Sequence, residues 1–199
     1  MKNKGLLIVL SGPSGCGKGT MVAEILKRGD CVVSVSATTR QPRTGEENGV
    51  HYYFLAREEF ERRIAENGFL EHAEYCGNLY GTPLKEVEEM RAAGKHVILE
   101  IEVQGALQVR ERCPDAVLVF TVPPSIGELR RRLHKRGTET DEVIEKRISR
   151  AKEELPLAEK YDYIVMNDAL EDAVADFGAI LRAETIRPSF TDLDLLLSE

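Results

Sequence analysis

Short aliphatic runs alternate along the chain with longer stretches in which apolar residues recur every three or four positions. The runs Leu6 to Leu10, His96 to Glu100, Ala116 to Thr121 and Tyr163 to Met166 have the length of buried strands. Helical spacing governs Lys18 to Lys27, Glu86 to Ala92, Gln104 to Arg112, Ser125 to Lys135, Asp141 to Ala158 and Leu170 to Ala183. Parallel strands cannot be joined by a tight turn, so strands separated by helices predict an α/β fold with a mostly parallel sheet flanked by helices. Thr82 before Pro83 reads as the cap and first-turn proline of the helix that follows, and Gly94 as the stop after it.

From Val35 to Tyr80 this rhythm breaks. A polar loop, Thr38 to Gly49, precedes an aromatic strand candidate at His51 to Leu55, a helix at Glu58 to Asn67 and a further strand at Phe69 to Tyr75. That order predicts an insertion with a small sheet of its own. Lys135 to Asp141 is charged and contains glycine between two helices, the composition of a mobile lid. The expected division is one domain with a core at residues 5–34 and 84–183, an insertion at 35–83, a lid near 135–150 and a tail at 184–199.

Composition narrows what such a fold can do. A chain of 199 residues with 42% hydrophobic content buries one sizeable core. A formal charge of -7 excludes a general nucleic-acid binder, which needs a surplus of Lys and Arg facing phosphates, so any phosphate site must be local. Cys16, Cys31, Cys76 and Cys113 form no CxxC pair and no zinc spacing with histidine, which points to reduced thiols. No apolar run has the length of a signal-peptide core or a membrane span. The expected location is the cytoplasm, with neither membrane nor nucleic acid as partner.

The first strand runs into Gly12-Pro13-Ser14-Gly15-Cys16-Gly17-Lys18-Gly19-Thr20, and a helical pattern opens at Lys18. The bare G-x4-G-K spacing would be a glycine-rich turn; between a strand and a helix it is a phosphate-binding loop. Glycines fold main-chain N–H groups into a nest, the helix start adds its positive dipole end, and Lys18 supplies a mobile charge. All nine residues are therefore ATP-site candidates, Cys16 as a small filler. Gly19 stands where the motif usually carries a magnesium-binding hydroxyl, and Thr20 is the candidate replacement.

Ser34 to Phe54 reads SVSATTRQPRTGEENGVHYYF. The chain continues with FLEHAEYCGNLYGTP (Phe69 to Pro83), ILEIEVQGA (Ile98 to Ala106), RGTET (Arg136 to Thr140) and VMND (Val165 to Asp168). These blocks, in this order, resemble the guanylate kinases, bacterial-type nucleoside monophosphate kinases. The resemblance implies a P-loop nucleoside monophosphate kinase fold with a GMP-binding insertion and a lid. It also implies transfer of the terminal phosphate of ATP to GMP, and to dGMP, with Mg2+ as cofactor.

Residue by residue, the resemblance assigns the GMP phosphate to Arg40, Arg43, Tyr53 and Tyr80, whose guanidinium and hydroxyl groups suit a nearly dianionic group. Taken alone, the two arginines read as solvated loop residues. Guanine falls to Glu71 and Glu102, carboxylates that accept from N1 and N2, and to Ser36 and Thr82, hydroxyls near O6. A surface-facing strand residue is the other reading of Glu71, and Glu102 stands where the family often has Asp. Glu100 and Glu102 alternate as if on one strand face, yet need no general-base role, because the accepting phosphate is already deprotonated. Glu100 is expected, with Thr20, on the metal side, orienting bound water. Lys18, Arg136 and Arg147 form the positive clamp, and Asn167 the adenine side. Arg130 to Arg132 and Arg150 read as ordinary solvated helix arginines. Two other classes compete: a kinase of similar fold acting on a phosphorylated sugar, which offers no base edge to Glu71, Ser36 and Thr82, and a peptide-binding guanylate-kinase-like module, which generally lacks a working P-loop such as Gly17 and Lys18 form.

Overall fold

Every residue of Leu7–Ser11 (β1) is buried, which a strand achieves only inside a sheet covered on both faces. The structure is a computed structural model that describes residues 4–135, 137 and 140–190. After β1 come Lys18–Lys27 (α1), Cys31–Val33 (β2), Ala37–Thr38 (β3), Tyr53–Phe54 (β4), Arg57–Ala65 (α2), Phe69–Tyr75 (β5) and Asn78–Pro83 (β6). Leu84–Ala92 (α3), His96–Glu100 (β7), Val103–Arg112 (α4), Val117–Val122 (β8), Ile126–Lys135 (α5), Asp141–Glu154 (α6), Tyr163–Met166 (β9) and Leu170–Thr185 (α7) follow. The main sheet has the order β2-β7-β1-β8-β9 with every pairing parallel.

Alternation along β1 divides the core in two. Leu6, Ile8 and Leu10 pack with Met21, Ile25 and Phe177 beneath α1 and α7, whereas Leu7 and Val9 pack with Val87, Ala106 and Val109 beneath α3 and α4. Each fully buried aliphatic side chain contributes about 1.5–3 kcal/mol. A separate cluster of Leu129, Leu133, Ile144, Ile148 and Ala151 joins α5 to α6.

Residues 37–83 build a second sheet, ordered β4-β3-β6-β5, with β3 and β4 parallel and the other pairs antiparallel. Its own small core holds Ala37, Phe60, Phe69 and Leu79, with the Phe60 and Phe69 rings stacked at 4.2 Å. Cys76 and Gly77, at φ 49 and 75, form the two-residue turn between β5 and β6.

Several sequence expectations change. Thr82 lies within β6 rather than capping α3; Pro83 takes the cap position and no side chain caps that helix. β7 ends at Glu100, so Glu102 leaves the strand and stands at the N-cap of α4, and the two carboxylates do not share a strand face. The helix expected to run to Ala158 stops at Glu154, where Pro156 lacks the N–H that an α-helix needs, and Leu155–Lys160 continue as a 3-10 helix. The strand expected at His51 to Leu55 shortens to Tyr53–Phe54. Of the expected lid, Arg136, Thr138 and Glu139 lie outside the described residues, as does the end of the expected tail, 191–199.

Candidate active site

Beyond Ser11 the chain turns through Gly12, Gly15 and Gly17, at φ 136, 94 and 91, before α1 begins. A Cβ on Gly12 would lie 2.2 Å from the Thr121 carbonyl oxygen, and one on Gly17 would lie 2.4 Å from Asn167 Nδ2. Only glycine satisfies both the left-handed backbone and these approaches. No side chain caps α1, so its first N–H groups and dipole remain for an anion. Lys18 Nζ folds over the loop and donates to the carbonyl oxygens of Gly12 at 2.5 Å and Pro13 at 3.1 Å. Asn167 is buried and its Nδ2 donates to the Cys16 carbonyl at 2.8 Å, bracing the loop wall. Burial pushes the Cys16 thiol pKa up against the pull of Lys18, which suits an uncharged filler. Arg147 Nη1, from α6, donates to Ser14 Oγ.

Glu100, at the end of β7, faces the start of α1: a Cβ on Gly19 would lie 3.6 Å from its Oε1. Its pKa is raised by burial and pulled down by Lys18. Thr20 is exposed on the first turn of α1. Carboxylate and hydroxyl oxygens of this kind suit a hard divalent cation that keeps most of its ligands as water and phosphate. Among the described residues no three His, Cys, Asp or Glu side chains converge to hold a metal by themselves.

In the second sheet, the β5–β6 register sets Glu71 opposite Thr82, just after an irregularity between Phe69 and Glu71. Both are buried, and Thr82 Oγ1 donates to Glu71 Oε1 at 2.6 Å. The surface-facing reading of Glu71 is thereby removed. Burial raises the Glu71 carboxyl pKa, the Thr82 hydrogen bond opposes this, and the charge of Glu102 adds to it. Helix α4 passes so close that a Cβ on Gly105 would lie 2.9 Å from Glu71 Oε2. Glu102 itself is exposed, and its Oε2 accepts from Arg150 Nη2.

Arg40 pairs with Glu46 at 2.9 Å and lies 5.5 Å and 5.8 Å from the ring centres of Tyr52 and Phe54. The main-chain N–H of Arg43 donates to the other Glu46 oxygen at 2.7 Å, while the Arg43 side chain is exposed. Arg40 first, and the Arg43 N–H second, lower the Glu46 pKa to about 2. Tyr80 on β6 is half-buried and meets Tyr52 edge-on at 6.2 Å. Tyr53 on β4 is half-buried, with its N–H donating to the carbonyl of half-buried Ser36 at 2.8 Å. The structure thus gathers Ser36, Arg40, Arg43, Tyr53, Tyr80, Glu71 and Thr82 on or beside one small sheet. Sequence reasoning missed Glu46, Tyr52 and Phe54 around Arg40, and it missed the Arg150 contact with Glu102. For Glu46 a signal existed, a carboxylate in the same loop as two arginines; for Arg150 none did.

The family model described as guanylate kinase matches residues 4–184. A guanylate kinase of Desulfitobacterium hafniense is 57% identical over 187 residues, 94% of this chain and 94% of that protein. One of Thermus thermophilus is 54% identical over 184 residues, 92% of this chain and 84% of that protein. The crystal structure of guanylate kinase from Anaplasma phagocytophilum superposes with a TM-score of 0.78 at 37% identity, covering 100% of this chain and 96% of that one.

Proposed function

Since the chain belongs to the guanylate kinase family and moves a phosphoryl group from ATP to GMP, we propose that Gly12 to Thr20 hold ATP and that the sheet of residues 37–83 holds GMP. The observation that carries the acceptor reading is the buried Glu71 carboxylate with Thr82 on one oxygen. A buried carboxylate with unused acceptor capacity favours a partner rich in N–H donors. Guanine offers N1–H and N2–H to Glu71 and Glu102; adenine, with an acceptor at N1, leaves the carboxylate opposed. Ser36 donates to O6, and Thr82 serves O6 only by turning its hydroxyl hydrogen from Glu71 as the base N–H groups take up that carboxylate.

The GMP phosphate replaces Glu46 as the partner of Arg40, with Arg43, Tyr53 and Tyr80 completing its shell. Lys18 turns from the Gly12 and Pro13 carbonyls toward the outer phosphates of ATP. Arg147 and Arg136 neutralise charge on the group in transit, and Asn167 braces the loop on the adenine side. No base is required, because the second phosphate pKa is about 6, and catalysis rests on alignment and charge neutralisation. The family's reaction generally needs a divalent metal; Mg2+ is the ion that Thr20 and Glu100 would hold, through oxygen and water, and when bound it supplies positive charge to the phosphates.

The two sheets support a division into a core, 5–34 and 84–183, and an insertion, 35–83, that closes over GMP while the segment near 135–150 closes over ATP, excluding water. Among the described residues no helix is long and apolar enough to cross a membrane. A cytoplasmic enzyme of purine nucleotide recycling, accepting dGMP as well, completes the proposal. A coupled assay with ATP and GMP, dGMP, AMP, UMP or a ribose bisphosphate tests it. GMP turnover is expected to dominate; turnover of AMP or UMP alone would reject the base reading.

A further inference from the structure

Helix α6 reaches both the phosphate loop and the start of α4. Arg147 donates to Ser14 of the phosphate loop, and Arg150, one turn further on the same face, donates to Glu102. Arg150 is itself held: its Nε donates to Glu154 Oε1 at 2.8 Å, and the Glu154 side chain is only 14% exposed. The guanidinium is therefore a fixed fork between a well-seated carboxylate on its own helix and an exposed one at the start of α4. Glu102 needs such a fork. It stands at the N-cap of α4 with no cap hydrogen bond from its own side chain, its side chain is 74% exposed, and its charge adds to the burden on the Glu71 carboxylate.

We propose that Arg150 is a positioning residue of the acceptor site: anchored by Glu154, it holds one oxygen of Glu102, leaves the other for the N–H edge of guanine, and joins the base pocket to the helix that carries Arg147 to the phosphate loop. This rests on the reading of Glu102 as a guanine contact. It gives α6 a part in acceptor recognition as well as in the phosphate clamp. A substrate that engages Glu102 thereby favours the seat of α6 in which Arg147 reaches the loop.

The test is steady-state kinetics on the full chain for Arg150→Ala, Arg150→Lys, Glu102→Gln and the Arg150→Ala/Glu102→Gln double variant. Arg150→Ala is expected to raise KM for GMP about three- to fivefold, the scale of an exposed but organised ion pair, with KM for ATP changed by less than about twofold. Arg150→Lys should recover only part of the loss, because an ammonium keeps the charge but not the fork that bridges Glu154 and Glu102. Adding Arg150→Ala to Glu102→Gln should raise KM for GMP little further, because both act through one contact. A wild-type KM for GMP in Arg150→Ala, beside a raised one in Glu102→Gln, would overturn the positioning role and leave the base reading standing. A wild-type KM in Glu102→Gln would remove Glu102 from the base pocket and this inference with it, and so would full additivity of the two changes.

Discussion

Glu71 and Glu46 carry opposite electrostatic histories, and pH separates them. Burial lifts the Glu71 carboxyl above its unfolded value, so the unliganded fold holds that proton more tightly than the unfolded chain does. Its contribution to stability is complete below the ordinary Glu range and is lost as pH rises through the raised value. Glu46, held at about 2 by Arg40, contributes above the ordinary Glu range and loses that contribution as pH falls toward 2. The proposed reading of guanine by Glu71 asks for an ionised carboxylate, so KM for GMP should climb as pH drops toward the raised pKa. The phosphate of GMP also titrates near pH 6, but that effect is shared by Glu71→Gln, and the difference between the two pH profiles isolates the carboxylate. At neutral pH Glu71→Gln should raise KM for GMP about tenfold or more, as expected for a charge-assisted hydrogen bond, and unaltered discrimination among monophosphates would place the base reader elsewhere. Lys18→Ala should lower kcat by about a hundredfold or more, with circular dichroism near wild type and melting lowered only slightly, because the hydrogen bonds that Lys18 Nζ makes to the Gly12 and Pro13 carbonyls and the Cys16 sulfur are local to the loop.

At the scale of elements, the proposed base pocket is a meeting of the β5–β6 hairpin with α4. Gly105 is the residue that lets the helix approach, and its Cβ would press on Glu71 Oε2. Gly105→Ala should therefore raise KM for GMP severalfold while the melting temperature holds or rises, since alanine favours a helix by about 1 kcal/mol over glycine. A melting temperature that falls together with an unchanged KM would show that α4 yields instead of Glu71. The long helices were legible because each repeats its period over several residues, and β1, β7, β8 and β9 because each is a short apolar run, although β9, at the sheet edge, leaves Ile164 and Met166 exposed where a buried strand was expected. β2 and β3 were not, at three and two residues, and β6 was not because Gly81 and Pro83 argue against a strand. Gly81 is tolerated there for a reason no local pattern carries: a Cβ on it would lie 2.8 Å from the Glu71 carbonyl oxygen.

For the molecule as a whole, the proposed site draws on residues that the chain separates widely. Asn167, just after β9, meets the Cys16 carbonyl beyond β1 because parallel strands deliver their C-terminal ends to one edge, and Arg147 reaches Ser14 from α6. The backbone passes between the two sheets where β2 leads to β3 and where β6 leads to α3, and β5 also packs on α4, where the Gln108 side chain pairs with the His72 main chain and Leu70 enters the main core. Small-angle scattering should show a smaller radius of gyration with GMP and a non-hydrolysable ATP analogue together than with neither, and an unchanged radius would remove closure from the mechanism. The sequence by itself determined the α/β class, the phosphate loop and the order of the recognition blocks, because these are written in local period and in unbroken runs of residues. Only the tertiary structure decided that Glu71 is buried under Thr82, that Glu102 leaves its strand to meet Arg150, and that Asn167 braces the loop. Those outcomes follow from sheet register and helix approach, which place distant side chains within hydrogen-bonding reach and leave no trace in the residues on either side of them.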